Sequence, residues 1–355
     1  MSGSIATSPS PLLLLYCRAG FEGECAQEIA AVAASANILG HTRAERGSGF
    51  VEHRGYESTE ATLRKFFLWQ RLIFARQCLI AFAQFEDLPR SDRLTPILAA
   101  LATRGERFCD AWAEAPDTDD GKALAPFCKS FGNALIGGLK RARLLDPAAP
   151  RRLHAFFPQS DKVYLAAADP AASAPWPQGI PRLKFPHAAP SRSTLKLDEA
   201  LLTLLDDGER ARWLKPGMSA VDLGAAPGGW TWQLVRRSIR VTAIDNGPMD
   251  AKLMDTGLVE HRREDGFRYR PKKPVDWLVC DMVEQPRRVA ELIARWLGEG
   301  WCRRAIFNLK LPMKKRYEET QRCLELVRAA TSSGDVRAKQ LYHDREEITT
   351  FARVG

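Results

Sequence analysis

The stretch Ala220-Val-Asp-Leu-Gly-Ala-Ala-Pro-Gly-Gly-Trp230 constrains this chain more than any other. Ala220, Val221 and Leu223 are apolar and read as a strand, with Asp222 near its end. Gly224, Pro227, Gly228 and Gly229 make a tight turn, and Trp230 to Arg237 follows with helical spacing. A strand, a glycine turn and a helix in succession form a nucleotide-binding corner, because glycine lets the backbone approach a ligand closely. Asp245 ends the next apolar run 21 residues after Gly224, near the spacing of a ribose-binding carboxylate. Gly224 is followed by Ala-Ala-Pro-Gly-Gly, which breaks the G-x-G-x-x-G dinucleotide spacing.

Around this corner, helices and apolar strands alternate from Ser193 to the end. Strands are expected at Val241–Asp245, Val259–Arg263, Asp276–Asp281 and Ala305–Lys310, and helices at Leu195–Leu205, Arg287–Leu297 and Glu318–Ala330. Such alternation gives a doubly wound α/β sheet covered on both faces. Arg337–Tyr342 and Glu346–Val354 read as a terminal hairpin. Earlier in the chain, Leu12–Cys17, Glu22–Ala36, Ile38–Ala44, Phe50–Arg54, Ser58–Leu68 and Leu72–Phe85 run β-α-β-β-α-β, the order of a ferredoxin-like half. Ser58 is the expected cap of the second helix. A second unit follows, with a helix at Asp92–Thr103, a strand at Phe108–Ala115, helical stretches between Gly121 and Leu145 broken near Gly132, and strands at Leu153–Phe157 and Val163–Ala168. Prolines at 170, 175, 177, 181, 186 and 190 mark a linker over 170–192. Residues 1–10 are Ser-rich and expected to be disordered.

Composition narrows the function classes. The net charge of +9 over 355 residues fits a polyanionic partner. Eight scattered cysteines show neither C-x-x-C nor histidine at zinc spacing, so reduced thiols are expected, with no disulfide framework and no metal. Leu12–Tyr16 is too short to cross a membrane and lacks the flanks of a signal peptide. The expectation is a cytoplasmic protein without a membrane or obligate protein partner, and nothing demands more than a monomer.

The corner resembles the S-adenosylmethionine motif of FtsJ-like RNA ribose 2′-O-methyltransferases. The wider chain resembles the THUMP-containing branch that acts on large-subunit rRNA. The words that carry this are Ile180-Pro-Arg-Leu-Lys-Phe-Pro, Ala189-Pro-Ser-Arg-Ser-Thr-Leu-Lys196-Leu, Val279-Cys-Asp-Met-Val-Glu284, Phe307-Asn-Leu-Lys-Leu-Pro-Met-Lys-Lys-Arg-Tyr-Glu-Glu319 and Gln340-Leu-Tyr-His-Asp-Arg-Glu-Glu347. They cover residues 180–350 densely and the first 170 thinly. The resemblance implies a Rossmann-like methyltransferase domain over 193–355, preceded by a ferredoxin-like domain over 11–88 and a THUMP-like RNA-binding domain over 89–169. It further implies S-adenosylmethionine as cofactor and a cytidine ribose of 23S rRNA as target.

The resemblance also assigns roles. Ser193, Gly224, Ala226, Pro227, Gly228 and Gly229 would surround the methionine end of the cofactor. Asp245 would bind the ribose hydroxyls, Asp265 the adenine amine, and Asp281 would lie under the methyl group. Family members often carry cysteine where Ala226 stands. Lys196, Asp281, Lys310 and a glutamate would surround the target ribose. Glu347 is preferred over Glu346, since neighbouring strand residues face opposite ways. Lys310 is the family's base. Lowering a lysine pKa from ~10.4 by about three units costs ~4 kcal/mol, which burial and Lys196 as a second cation can supply; Asp281 would instead raise it and so suits a positioning role, which leaves open whether Lys310 removes the proton or mainly aligns the hydroxyl.

Basic residues at Lys314-Lys-Arg316, Arg182, Lys184 and Arg192, and at Lys140-Arg-Ala-Arg143, suit RNA phosphates. A lone strand-end acid or a charge run more often only faces water; three acids at successive strand ends after a glycine turn make a site. Cys280 invites a cytosine-C5 mechanism, but the proline-cysteine loop of that chemistry is absent. So is the Asn-Pro-Pro-Tyr set of amino-methyltransferases, with Asp281-Met-Val-Glu284 in its place. A non-catalytic rRNA-binding protein and an NAD-dependent dehydrogenase are the alternatives, and neither gives Lys196 and Lys310 a role.

Overall fold

The computed structural model describes residues 5–6, 11–56, 58–331 and 334–355. The chain forms two compact units, Met1–Pro181 and Arg182–Gly355.

In the first unit the order is β1 (Ile5–Ala6), β2 (Leu12–Cys17), α1 (Glu22–Ser35), β3 (Gly40–Ala44), β4 (Phe50–Gly55), α2 (Glu60–Phe66), β5 (Ala75–Phe85), α3 (Leu94–Arg104), β6 (Ala111–Glu114), α4 (Asp119–Ala123), α5 (Ala125–Arg141), β7 (Arg152–Gln159) and β8 (Lys162–Ala168). Six apolar residues in a row make β2 buried at every position, as in a strand covered on both faces. The sheet runs β3-β4-β2-β5-β8-β7-β6, with β1 against β5. Strands β2 to β5 keep the ferredoxin-like order. The other edge of β5 pairs antiparallel with β8, so the stretches 11–88 and 89–169 share one continuous sheet. Phe131, Leu135 and Leu139, spaced one turn apart on α5, pack with Leu153, Phe157 and Leu165.

Three expectations change here. The helical stretch breaks at Leu124, where Pro126 suits the first turn of α5, and Gly132 lies inside that helix. Thr59, not Ser58, caps α2, its side chain accepting from Thr62 N at 3.1 Å. The disorder expected over 1–10 falls outside the described residues except at Ile5–Ala6, which pair with Phe85 and Gln84.

The second unit contains α6 (Thr194–Leu204), α7 (Asp207–Trp213), β9 (Ser219–Leu223), α8 (Gly229–Val235), β10 (Arg240–Ile244), α9 (Ala251–Met254), β11 (Val259–Arg262), β12 (Val275–Cys280), α10 (Pro286–Gly298), β13 (Cys302–Lys310), α11 (Arg316–Ala330), β14 (Asp335–Lys339) and β15 (Glu347–Arg353). Its seven strands lie in the order β11-β10-β9-β12-β13-β15-β14. The first five are parallel, and β15 runs antiparallel to β13 and β14. Trp277, Leu278, Val279 and Cys280 alternate in direction yet are all buried, so both faces of the sheet are covered. Leu197, Leu201, Trp230 and Leu234 from α6 and α8 pack with Trp277, Val279, Ile306 and Phe351. The chain winds outward from β9 to β11 and returns beside β9 as β12. This switch point opens a crevice at the carboxyl ends of β9 and β12.

Candidate active site

Four side chains from four elements meet at that end of the sheet. Lys196 lies in the first turn of α6, Asp281 directly follows β12, Lys310 ends β13 and Glu347 begins β15. Lys310 and Glu347 are cross-strand partners, as are Asn308 and Thr349 two residues along. The two-residue period of a strand therefore puts all four on one face. Lys310 Nζ is 2.8 Å from Asp281 Oδ1 and also donates to Glu347 Oε2. Lys196 Nζ is 3.3 Å from Asp281 Oδ2 and pairs with Glu347 Oε1. Each carboxylate thus holds both ammoniums, closing a ring of four alternating charges. Glu347 is only 4% exposed, while the Lys310 side chain keeps 25% of its surface, so the ring opens to solvent at Lys310. Glu346 faces the other way and pairs with Arg316 at 3.0 Å.

Of the opposing influences expected on Lys310, the acids prevail. Burial opposes the charge on Lys310, but Asp281 and Glu347 outweigh it and hold the ammonium well above the ordinary lysine range. Lys196 does not lower it, because its charge is matched by the same two carboxylates. Lys310 is therefore an ammonium in this site.

The glycine turn packs against these residues. A Cβ on Gly224, whose φ is +77, would fall 2.7 Å from Met282 Cγ, beside Asp281. A Cβ on Gly229 would fall 2.2 Å from Ser193 Oγ. Gly228 precedes α8, and Ser193 precedes α6. Trp230 Nε1 donates to Ser193 O at 3.0 Å, joining the two helix starts. Asp245 accepts from Ala226 N at 3.0 Å and from Gly247 N at 2.7 Å, one bond per oxygen. Each oxygen keeps a lone pair that a ribose hydroxyl could donate to, so the turn fits the adenosyl cofactor. Pro227 lies within the turn, its carbonyl accepting from Asp250 N at 3.0 Å. Asp265 stands apart from the ring, exposed beyond β11, with Oδ1 accepting from Phe267 N at 2.8 Å. Asp222 is buried beneath the turn. Burial pushes its pKa up to about 7, against the hydrogen bond from Thr231, with Asp281 and Asp245 adding to the rise.

Several neighbours escaped the sequence reading. Asn308 is fully buried and donates to Asp281 Oδ1 at 2.9 Å. Its place two residues before Lys310 in a strand was the available signal. Glu199, one turn after Lys196, accepts from Tyr342 N at 2.8 Å and His343 N at 2.9 Å, fixing the segment ahead of β15. Thr349 carries no sequence signal, since its place depends on strand register, and Asp344 lies in the word over residues 340–347 with nothing in the sequence to assign it a role. Cys280 is wholly buried and burial pushes its thiol up to about 12, leaving no thiolate for cytosine-C5 chemistry.

Of the basic residues, Lys184, Arg192, Lys314 and Lys315 are exposed. Arg316 is held by Glu346, and Arg182 by Tyr342 Oη at 3.2 Å. Lys140, Arg141 and Arg143 are exposed in the first unit. The most exposed of the large apolar side chains described are Val283, 91% exposed, two residues past Asp281, and Met313, 94% exposed, three past Lys310. No group of acids, histidines and cysteines among the described residues could hold a metal ion. No helix is long and apolar enough to cross a membrane among those residues.

Comparison with known proteins agrees over nearly the whole length. A family model described as FtsJ-like methyltransferase matches residues 189–338. Models for the RlmM ferredoxin-like domain and for the N-terminal part of ribosomal RNA large subunit methyltransferase M match 11–79 and 92–169. A ribosomal RNA large subunit methyltransferase M from Xanthomonas oryzae pv. oryzae (strain PXO99A) is 57% identical over 347 residues, covering 97% of this chain and 99% of the relative. One of the same name from Xanthomonas axonopodis pv. citri is 56% identical, covering 96% and 98%.

Proposed function

This chain belongs to the ribosomal RNA large subunit methyltransferase M family and is an S-adenosylmethionine-dependent methyltransferase of large-subunit rRNA; from that premise we propose that it methylates the 2′-hydroxyl of a cytidine. The observation that carries the ribose reading is the ring of Lys196, Asp281, Lys310 and Glu347. A hydroxyl placed among these groups meets ammonium donors and carboxylate acceptors together, which fixes where its lone pair points. A dehydrogenase or a non-catalytic binding protein has no use for such a ring.

S-adenosylmethionine, when bound, supplies an activated sulfonium methyl. Ser193, Gly224, Ala226, Pro227, Gly228 and Gly229 would hold its methionine end, Asp245 its ribose and Asp265 its adenine. Lys310, as a cation, donates to the target oxygen and aims its free lone pair. Asp281 and Glu347 hold both lysines in place. The hydroxyl proton leaves as the new O–C bond forms and the oxygen becomes acidic; Glu347 and Asp281 stand ready to take it. Lys310 in this reading aligns the nucleophile and does not remove its proton from a neutral state.

The RNA would be drawn in by the exposed Lys184, Arg192, Lys314 and Lys315 through its phosphates. Val283 and Met313, close in sequence to Asp281 and Lys310, would offer apolar contact to the face of an unstacked base. The first unit would hold rRNA with Lys140, Arg141 and Arg143, as a THUMP-like module. The protein would work in the cytoplasm as a monomer.

The test uses labelled S-adenosylmethionine and large-subunit rRNA from cells lacking the protein. Wild type should transfer label to one alkali-resistant linkage, and Lys310→Ala should not. Label on a base would overturn the ribose assignment.

A further inference from the structure

Behind the charged ring lies a second row of polar groups that the reaction does not use. Asn308, Thr349 and Asp344 are at most 1% exposed. Asn308 Nδ2 is 2.9 Å from Asp281 Oδ1, Thr349 Oγ1 is 2.8 Å from Asn308 Oδ1, and Asp344 Oδ1 and Oδ2 are 3.1 and 3.0 Å from Thr349 Oγ1. Asp344 Oδ2 also accepts from Leu341 N at 3.0 Å.

Counting protons along this row leaves one arrangement. Asp281 is an anion between two ammoniums, so Asn308 must turn its NH₂ toward it. The Asn308 carbonyl then faces Thr349 and can only accept. A hydroxyl has one proton, and Thr349 spends it on Asn308. The remaining contact, Thr349 to Asp344, needs a donor, and only a protonated Asp344 supplies one. Were Asp344 ionised, Thr349 would turn to it and the Asn308 carbonyl would face a bare oxygen lone pair at 2.8 Å. The surroundings agree: burial first, then Glu347 and Glu199, hold the Asp344 carboxyl well above the ordinary range, with the hydrogen bond from Leu341 N and then Lys196 pulling the other way.

We infer that Asp344 is a positioning residue, a buried neutral acid whose proton sets the direction of a chain through Thr349 and Asn308 that holds the Asp281 carboxylate in the charged ring. Every donor in the chain points toward Asp281. The chain therefore stabilises Asp281 as an anion and fixes its rotation, and through Asp281 it places Lys196 and Lys310. This extends the reading of the ring as the ribose site and rests on it.

The experiment measures methyl transfer to large-subunit rRNA by the full chain, alongside the carboxyl signal of Asp344 in ¹³C-aspartate-labelled protein, assigned by its loss in Asp344→Asn. Thr349→Val removes the link with little change in volume. It should lower kcat by about five- to a hundredfold, because the buried Asn308 carbonyl and the Asp344 proton are left without partners, with KM for S-adenosylmethionine unchanged. Thr349→Ser keeps the hydroxyl, and Asp344→Asn keeps a neutral donor to Thr349 and an acceptor for Leu341 N. Both should stay within about threefold of wild type. The Asp344 signal should remain that of a protonated acid across the range where ordinary carboxylates ionise. Wild-type kcat in Thr349→Val would overturn the inference. So would an Asp344→Asn protein that folds but loses activity as Thr349→Val does, or an ionised Asp344 at neutral pH. If wild type transferred no methyl group, the functional reading would fail, and the Asp344 signal would still decide the chain by itself.

Discussion

Lys310 Nζ lies 2.8 Å from Asp281 Oδ1, and Asp281 with Glu347 keeps the lysine a cation against its burial. That sets the expected pH dependence. A reaction needing neutral Lys310 would speed up about tenfold per pH unit throughout the neutral and mildly alkaline range, since the raised pKa leaves the amine scarce. With Lys310 acting as an ammonium, kcat should be nearly flat from about pH 6.5 to 9, below even the unperturbed lysine value. Single-turnover transfer rates across that range would decide between them, and a slope of one would restore Lys310 as the base.

Glu346 and Glu347 are adjacent, yet one is buried in the ring and the other pairs with Arg316 at the surface. Glu347→Gln leaves two ammoniums facing one carboxylate and should cut kcat at least about tenfold. Glu346→Gln loses one exposed pair and should change it by less than about twofold. Equal effects in a transfer assay would mean that the site does not use the register seen here.

Asp222 makes a separate prediction about stability. Its pKa rises from 3.8 in the unfolded reference to about 7 in the fold. Below both values the two states hold the same proton. Between them the unfolded chain ionises while the fold keeps its proton, so stability falls as pH rises through this window and levels off above about 7. The full drop from this one group is about 4 kcal/mol. Asp222→Asn should flatten that decline, read as urea midpoints at pH 4 and pH 8, and be the more stable protein at the higher pH. Parallel curves for the two proteins would show that Asp222 ionises normally.

Val283 and Met313 touch water, so replacing them with serine should leave the melting temperature unchanged. If a base rests on them, the double variant should raise KM for rRNA by about ten- to thirtyfold, the worth of two partly buried apolar side chains. Affinity for S-adenosylmethionine should not move. An unchanged KM for rRNA would remove these residues from the substrate surface.

The alternation of helices and strands after Ser193 was legible because a doubly wound sheet writes itself as apolar runs separated by helical spacing. Asp281 and Lys310 could be singled out because each sits at the end of such a run, whereas Lys196 and Glu347 were reached only through the resemblance to FtsJ-like enzymes. What the chain could not display was their mutual field. Lys196 is a second cation in the sequence, but in space it is matched by Asp281 and Glu347, and the expected effect on Lys310 changes sign. Asn308 was within reach of the two-residue period. Thr349 was not, since register between β13 and β15 decides who faces Asn308, nor was Asp344, which reaches Thr349 from the turn before β15. At a smaller scale, Ser58 and Thr59 are both good caps, and only the turn into α2 chooses Thr59.

The continuous sheet of the first unit has a practical consequence for anyone dissecting the protein. Family boundaries suggest two modules that could be swapped or expressed apart, divided near residue 88. A cut there would strip β8 from β5 and bare one edge of an eleven-residue strand on one fragment, and the matching edge of β8 on the other. Unpaired edges of that length recruit one another, so both halves should aggregate. The natural seam between the two units lies at Pro181, where no strand is severed.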